Sequence, residues 1–273
     1  MVRGGQEGRG LALTGLAAAY SAAGRSWAGG PARIYERLAQ VLVSHAPASV
    51  VGGTVLDVGA GTGAAGRAAG VAGAARVVAV DVALGMLTHD PVGSSPAVVG
   101  DALALPFAPS AFDASVAAFV VNHLTDPVAG LAELRRVTRL GGAVLASVYA
   151  ADDSHPVKTA VEDAFEAHGW TPDPWYTQLR EDVLPLLLTA DGCAAAMRSA
   201  HLEPHVEKVQ VPFPELDAHA LVDWRVGLAQ HAPFFHRQSP LARQAILDEA
   251  VARLGQHPQP LVRSILVMTA IRR

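Results

Sequence analysis

Residues 55–66 read VLDVGAGTGAAG, and within them Gly61 to Gly66 fits the spacing G-x-G-x-x-G. A glycine-rich turn between a strand and a helix lets backbone approach a ligand closely and aims helix N–H groups at it. Glycines also serve tight turns and close helix packing, so the six residues alone leave a purely structural reading open. Their acidic neighbours add information. Asp57 precedes the turn, Asp81 ends VVAVD, and Asp101 follows PAVVG. Three strands ending in aspartate at one sheet rim are hard to explain by packing, because lone buried carboxylates are costly. That rim is where open α/β sheets bind ligands. Asp81 suits the ribose of any adenosine-bearing ligand. Asp57 suits a cationic end such as an α-amino group, and it would repel a pyrophosphate.

A proton acceptor has several candidates. His123, in FVVNHLTDP just past the fourth strand, combines a position on the rim with a near-neutral intrinsic pKa. The alternative is that it packs or bonds neighbouring backbone. Tyr149, Asp152 and His155 leave the fifth strand on the same side. Metal chemistry is not expected. His201 and His205 are separated by Pro204, and His231 and His236 are five apart, off a common helical face. Cys193 is the single cysteine, so neither an internal disulfide nor a thiolate cluster can form.

These residues need elements to position them. From Thr54 to Tyr149, short apolar runs alternate with helix-compatible segments: TVLDVG, RVVAVD, PAVVGD, AFDASVAAFVV and GGAVLASVYA read as strands. The spacing predicts a strong helix over DPVAGLAELRRVTRL. Asp126 caps it, Pro127 suits its first turn, and Gly141 is expected just past its end. Val128, Leu131, Leu134, Val137 and Leu140 form its apolar stripe. Such alternation predicts a parallel sheet covered by helices. Residues 19–42 read as helical, as do 151–203 with a break at GWTPDPWY (169–176), and 215–256. HVEKVQVPF (205–213) and LVRSILVMTAIRR (261–273) read as the last strands.

The chain has 273 residues, of which 51% are hydrophobic and 17% charged, ample for one sizeable core. The net charge is −4, with no basic patch to attract nucleic acid. Residues 11–19, after Arg3 and Arg9, imitate a short export signal. Thr14 and Gly15 break the run, and it continues into helical sequence. No stretch approaches the ~18 apolar residues of a membrane span. The expected location is the cytoplasm, without a membrane partner.

VLDVGAGTG (55–63), VVAVDVALGML (77–87), GDALALPFAPSAFD (100–113) and LAELRRVTRLGGAVLASVY (131–149) resemble the ordered motifs of class I S-adenosylmethionine-dependent methyltransferases. The similarity is to the ubiquinone/menaquinone-type and bacterial small-molecule members, over roughly residues 50–150. Leu140 stands where the family commonly has proline. The resemblance implies an α/β, Rossmann-like, seven-stranded methyltransferase fold, mostly parallel with an antiparallel last strand, plus helical lid insertions. It divides a single domain into a leader (1–50), a cofactor-binding core (51–150), substrate-side helices (151–203 and 214–260) and the last two strands (204–213 and 261–273). It also implies that Gly59, Ala60, Gly61 and Gly63 pass beneath the methionine part, with Asp57 supporting loop and amino group. Asp81 with Val82 and Met86 would take the ribose side, and Gly100, Asp101 and Ala102 the adenine. Phe119 to Asn122 would close the site, and Tyr20 and Trp27 would touch the cofactor from the leader.

The expected activity is methyl transfer from S-adenosylmethionine, leaving S-adenosylhomocysteine, to a small and fairly apolar metabolite in biosynthesis or tailoring. His123 is the candidate base, followed by Tyr149 and His155. A cyclase or binding protein that uses the cofactor structurally is the alternative, and a nicotinamide-dependent oxidoreductase a more distant one. Trp170, Trp175, Tyr176, Phe213, Trp224, Phe234 and Phe235 either line the substrate pocket or form the small core of the lid. The sequence leaves open the substrate, the methylated atom and the oligomeric state, monomer or homodimer.

Overall fold

The computed structural model describes residues 3–90 and 95–273, with side chains from Thr14 onward; residues 1, 2 and 91–94 lie outside the described residues. Two leader helices, α1 (Arg3–Gly29) and α2 (Ala32–Ser44), precede the sheet and are separated at Gly30-Pro31. The predicted alternation follows: β1 (Thr54–Val58), α3 (Ala64–Val71), β2 (Arg76–Asp81), α4 (Leu84–Leu87), β3 (Ala97–Val99), β4 (Phe112–Ala118), α5 (Pro127–Val137) and β5 (Thr138–Tyr149). After β5 come α6 (Val157–Ala167), α7 (Pro174–Gln178), a π-helical turn (Leu179–Val183) and α8 (Ala190–Ser199). β6 (His205–Phe213) leads to α9 (Ala218–Val226), α10 (Ala232–Arg237) and α11 (Pro240–Leu254), and β7 (Leu261–Ile271) closes the sheet.

The seven strands lie in the order β3-β2-β1-β4-β5-β7-β6. β1 pairs in parallel with β2 on one side and β4 on the other, so the chain changes direction of travel across the sheet there. β7 alone runs against its neighbours, antiparallel to both β5 and β6. The small face of α3, with Ala65, Gly66, Ala68 and Ala69 buried, lets that helix approach the sheet closely. β4 is buried on both faces, the reason its sequence shows no alternation. α2 turns Ile34, Leu38 and Leu42 inward. Residues of α1, the insertion after β5 and the insertion between β6 and β7 share one cluster, in which Ala19 and Ala23 meet Trp175, Leu179, Val183, Ala229 and Ala232.

One predicted boundary is corrected. Asp126 does cap α5, accepting from Ala129 N at 2.9 Å, but the helix stops at Val137. Thr138 ends it by turning its hydroxyl to the Leu134 carbonyl (2.7 Å) and to Ser115 Oγ (2.7 Å), and it already pairs with Phe112 in the sheet. The register then shifts, so Arg139–Gly142 bulge out of the ladder. Leu140 consequently sits exposed on β5, away from the helical stripe, and Gly141 supplies a positive φ (74°) inside the bulge. Among the described residues no helix is long and apolar enough to cross a membrane.

Candidate functional site

At the carboxyl ends of β1, β2 and β4, where the strand order reverses, the fold encloses a cavity of about 440 Å³. The β1–α3 turn carries Gly59, Gly61 and Gly63 at φ values of 62°, 55° and 86°, a conformation that strains any other residue. Gly59 and Gly61 border the cavity; Gly63 faces Arg67 and Asp90 instead. Gly66 N–H donates to Asp57 Oδ2 at 2.7 Å, and a side chain there would press on Val77 and on that carboxylate. The glycine that completes the dinucleotide-like spacing therefore serves helix–strand packing.

All three aspartates border the cavity. Burial pushes the Asp57 carboxyl up to about 7, only partly offset by the Gly66 hydrogen bond. Asp57 Oδ1 is buried and has no hydrogen-bond partner among the described residues, a strong call for a donor in a bound molecule. Asp81 is held for use at the edge: Oδ1 accepts from Ala83 N and Oδ2 from Gly61 N, each at 2.8 Å. Burial raises its pKa, against those backbone donors. Asp101 Oδ1 accepts from Leu103 N at 2.9 Å, which fixes the loop where Gly100 and Ala102 also reach the cavity. Ala60, Val82 and Met86 complete this half.

The opposite half is aromatic. Tyr20 and Trp27 of α1 line it, with Phe119 after β4. Tyr20 Oη lies 3.0 Å from His123 Nε2. His123 also bonds the Phe119 backbone, which leaves Nε2 as the acceptor of the Tyr20 hydroxyl. Burial lowers the His123 pKa to about 4, so the imidazole is neutral. The Tyr20 phenol is pushed well above its ordinary value, again by burial first. Tyr20, expected only as a cofactor contact, is thus the partner of the candidate base.

Besides Gly63, three expected site residues stand elsewhere. Asn122 is buried but borders packed protein, not the cavity. Tyr149 lies one layer back, stacked on Phe119 with ring centroids 4.5 Å apart. His155 is turned away: Nε2 bonds the Gln259 carbonyl at 2.8 Å, and Nδ1 accepts from Val157 N at 3.2 Å. Of the seven aromatics proposed for pocket or lid, Trp175 lines the cavity, while Trp170, Phe213 and Trp224 are core. Sequence reasoning missed Tyr35, Leu16, Gln178 and Asp182 as cavity residues. Tyr35 and Leu16 sit in the leader expected to touch the cofactor; no local signal marks Gln178 and Asp182. Among the described residues no three His, Cys, Asp or Glu side chains come together to hold a metal ion.

This strand order, with its cavity at the reversal point, is a Rossmann-like methyltransferase fold. Residues 56–146 match a family model described as a methyltransferase domain. It is 41% identical over 120 residues to the demethylmenaquinone methyltransferase of Renibacterium salmoninarum, a match covering 42% of this chain and 47% of that relative. The chain thus spans under half the length of the curated relatives it matches. The YcgJ protein of Bacillus subtilis has a similar fold, with a TM-score of 0.55 and 19% identity over 86% of this chain and 98% of that one. Phosphoethanolamine N-methyltransferase 2 of Haemonchus contortus, solved with S-adenosyl-L-methionine, gives a TM-score of 0.53 and 16% identity over 86% of this chain and 52% of that one.

Proposed function

We propose that this chain transfers a methyl group from S-adenosylmethionine to a small, apolar, aromatic molecule, in biosynthesis or tailoring of a metabolite. The observation that carries the reading is one cavity with two unlike ends: an unpartnered buried Asp57 oxygen at one, and the Tyr20–His123 pair set among aromatic rings at the other. The residues fit the cofactor. Asp57 Oδ1 would hold its ammonium, Asp81 its ribose, and Asp101 with Ala102 its adenine, while Gly59 and Gly61 keep the cradle clear of side chains. When bound, the cofactor supplies an electrophilic methyl on its sulfonium. The name of the Renibacterium relative, which implies a quinone-type ring, is consistent with the aromatic lining.

The chain's own residues then orient the acceptor, exclude water and move a proton. The α1 face and the α7–π-turn strap cover the cavity, and Trp27, Trp175 and Phe119 form its apolar walls. A proton leaving the substrate passes to the Tyr20 oxygen as the Tyr20 proton passes to His123 Nε2. Burial, which lowers the His123 pKa to about 4, keeps its Nε2 lone pair free throughout the ordinary range and also makes it a weak base, one that passes the proton on rather than holding it.

Titration with S-adenosylhomocysteine tests the reading, and tight binding of NAD(H) in its place would overturn it. Asp81→Ala is expected to weaken S-adenosylhomocysteine binding by roughly 1–3 kcal/mol; unchanged affinity removes the ribose assignment. His123→Ala and Tyr20→Phe are each expected to keep cofactor affinity and lose about 10²-fold or more in kcat. Rates within a few-fold of the parent would assign the pair to packing. Methyl-labelled cofactor separates a transferase from a cyclase on the same fold, since only the former labels its product.

A further inference from the structure

Four aspartates border the cavity, and no lysine or arginine does among the described residues. Asp57, Asp81 and Asp101 stand at the strand ends that would hold the cofactor. Asp182 stands apart, on the π-helical turn of the strap that covers the cavity. That turn packs against the short turn Val121–His123, which carries the candidate base, and so lies at the acceptor's end of the cavity.

The strap presents two stripes of residues. Trp175, Leu179 and Val183, spaced by four, are buried and cluster with Ala19 and Ala23 of α1. Gln178 and Asp182, also four apart, are exposed on the strap yet border the cavity. Asp182 makes no ion pair or hydrogen bond among the described residues. Arg180, on the same strap, packs over the Tyr176 ring at 5.7 Å and does not border the cavity. His123 is neutral and supplies no balancing charge.

The walls that share the cavity with this carboxylate are aromatic. Tyr20 lies 5.7 Å from Trp27 and 6.2 Å from Trp175 between ring centroids, and all three rings border the cavity. An aromatic face carries partial negative charge and attracts a cation. Carboxylates without a balancing cation, together with aromatic walls, favour positive charge in the cavity and disfavour an anionic ligand.

We propose that Asp182 recognises a protonated amine on the acceptor, while Tyr20, Trp27 and Trp175 hold the aromatic body of that molecule. The acceptor class narrows to aromatic molecules that carry a basic amine, and carboxylated aromatics are rejected. Asp182 is a specificity-determining contact and takes no part in the proton transfer at Tyr20 and His123. This inference rests on the methyltransferase reading above, and the test separates the two.

The full-length protein is first titrated with S-adenosylhomocysteine. Failure to bind it sinks the function alone, and the probes are then compared on the free protein, where Asp182→Asn still reports the contact. The loaded protein is titrated by calorimetry near neutral pH with three naphthalene probes. These are 1-naphthylmethylamine, which is protonated there, 1-naphthalenemethanol, which is neutral, and 1-naphthoic acid, which is ionised. The parent is expected to bind the amine about tenfold tighter than the alcohol, and the acid most weakly. Raised salt is expected to erode that preference. Asp182→Asn keeps the size of an exposed side chain. It is expected to leave S-adenosylhomocysteine and alcohol affinities unchanged while bringing amine and alcohol within about threefold of each other. Equal affinities for amine and alcohol in the parent, the acid binding tightest, no binding of any probe, or a full amine preference retained by Asp182→Asn would each overturn the proposal.

Discussion

Asp57 shows how one buried carboxylate reports on ligand chemistry. Its folded pKa of about 7 stands above its ordinary 3.8, so its protonated form stabilises the unliganded fold below pH 4. That contribution is lost as pH rises through about 7. An ammonium group on Oδ1 reverses the preference, because it favours the ionised carboxylate. The dissociation constant for S-adenosylhomocysteine is therefore expected to fall by about tenfold between pH 6 and pH 8, with proton release on binding. Calorimetry at three pH values checks this, and Asp57→Asn should flatten the slope. His123 shifts the other way, to about 4, so it should place no limb in a rate profile above pH 5. Asp57 was legible in the sequence because a carboxylate before a glycine turn has few structural uses. The orientation of His155 was not legible, since nothing local in YAADDSHPV shows that its ring turns to the Gln259 carbonyl.

At the scale of elements, the crossing of α1 and α4 controls the cofactor side. Gly24 and Gly85 lie face to face there: a methyl on Gly24 would collide with the Gly85 carbonyl, and one on Gly85 with that of Ser21. The obstacles are backbone, so relief requires the two helices to part. α4 carries Met86 and α1 carries Tyr20 and Trp27, all at the cavity. Gly24→Ala is expected to cost about 1–3 kcal/mol of stability by overpacking and to weaken S-adenosylhomocysteine binding as well. A thermal melt and the same titration measure both; a variant with parental values would mean that the crossing is not tight. The alternation of strands and helices was readable because buried parallel strands and capped helices each leave a short-range pattern. The end of α5 was not, because Thr138 leaves the helix to meet Ser115 on another strand.

For the molecule as a whole, the leader, the core and the insertion after β5 converge on one cavity. The insertion after β5 and the last strand are locked by the Arg263–Asp153 pair, whose side chains are only 5% and 4% exposed. Asp153 also accepts from Ser264 N at 2.9 Å, tying the same loop to β7. Asp153→Ala would leave a buried guanidinium without its partner, with an expected loss of about 3–5 kcal/mol. The urea midpoint measures this, and a loss below about 1 kcal/mol would show that solvent reaches the pair.

By itself the sequence determined the α/β class, the order of the strands along the chain, the glycine turn and the three aspartates at its rim. These follow from periods of two and 3.6 residues, from caps and from the cost of burying unpaired charge, all acting within a few residues of each other. Only the tertiary structure decided that Tyr20 reaches His123, that Tyr35 and Trp27 share the cavity wall, and that Tyr149 stands one layer behind Phe119. Those pairings join segments distant along the chain, where side-chain packing rather than local pattern selects the neighbour.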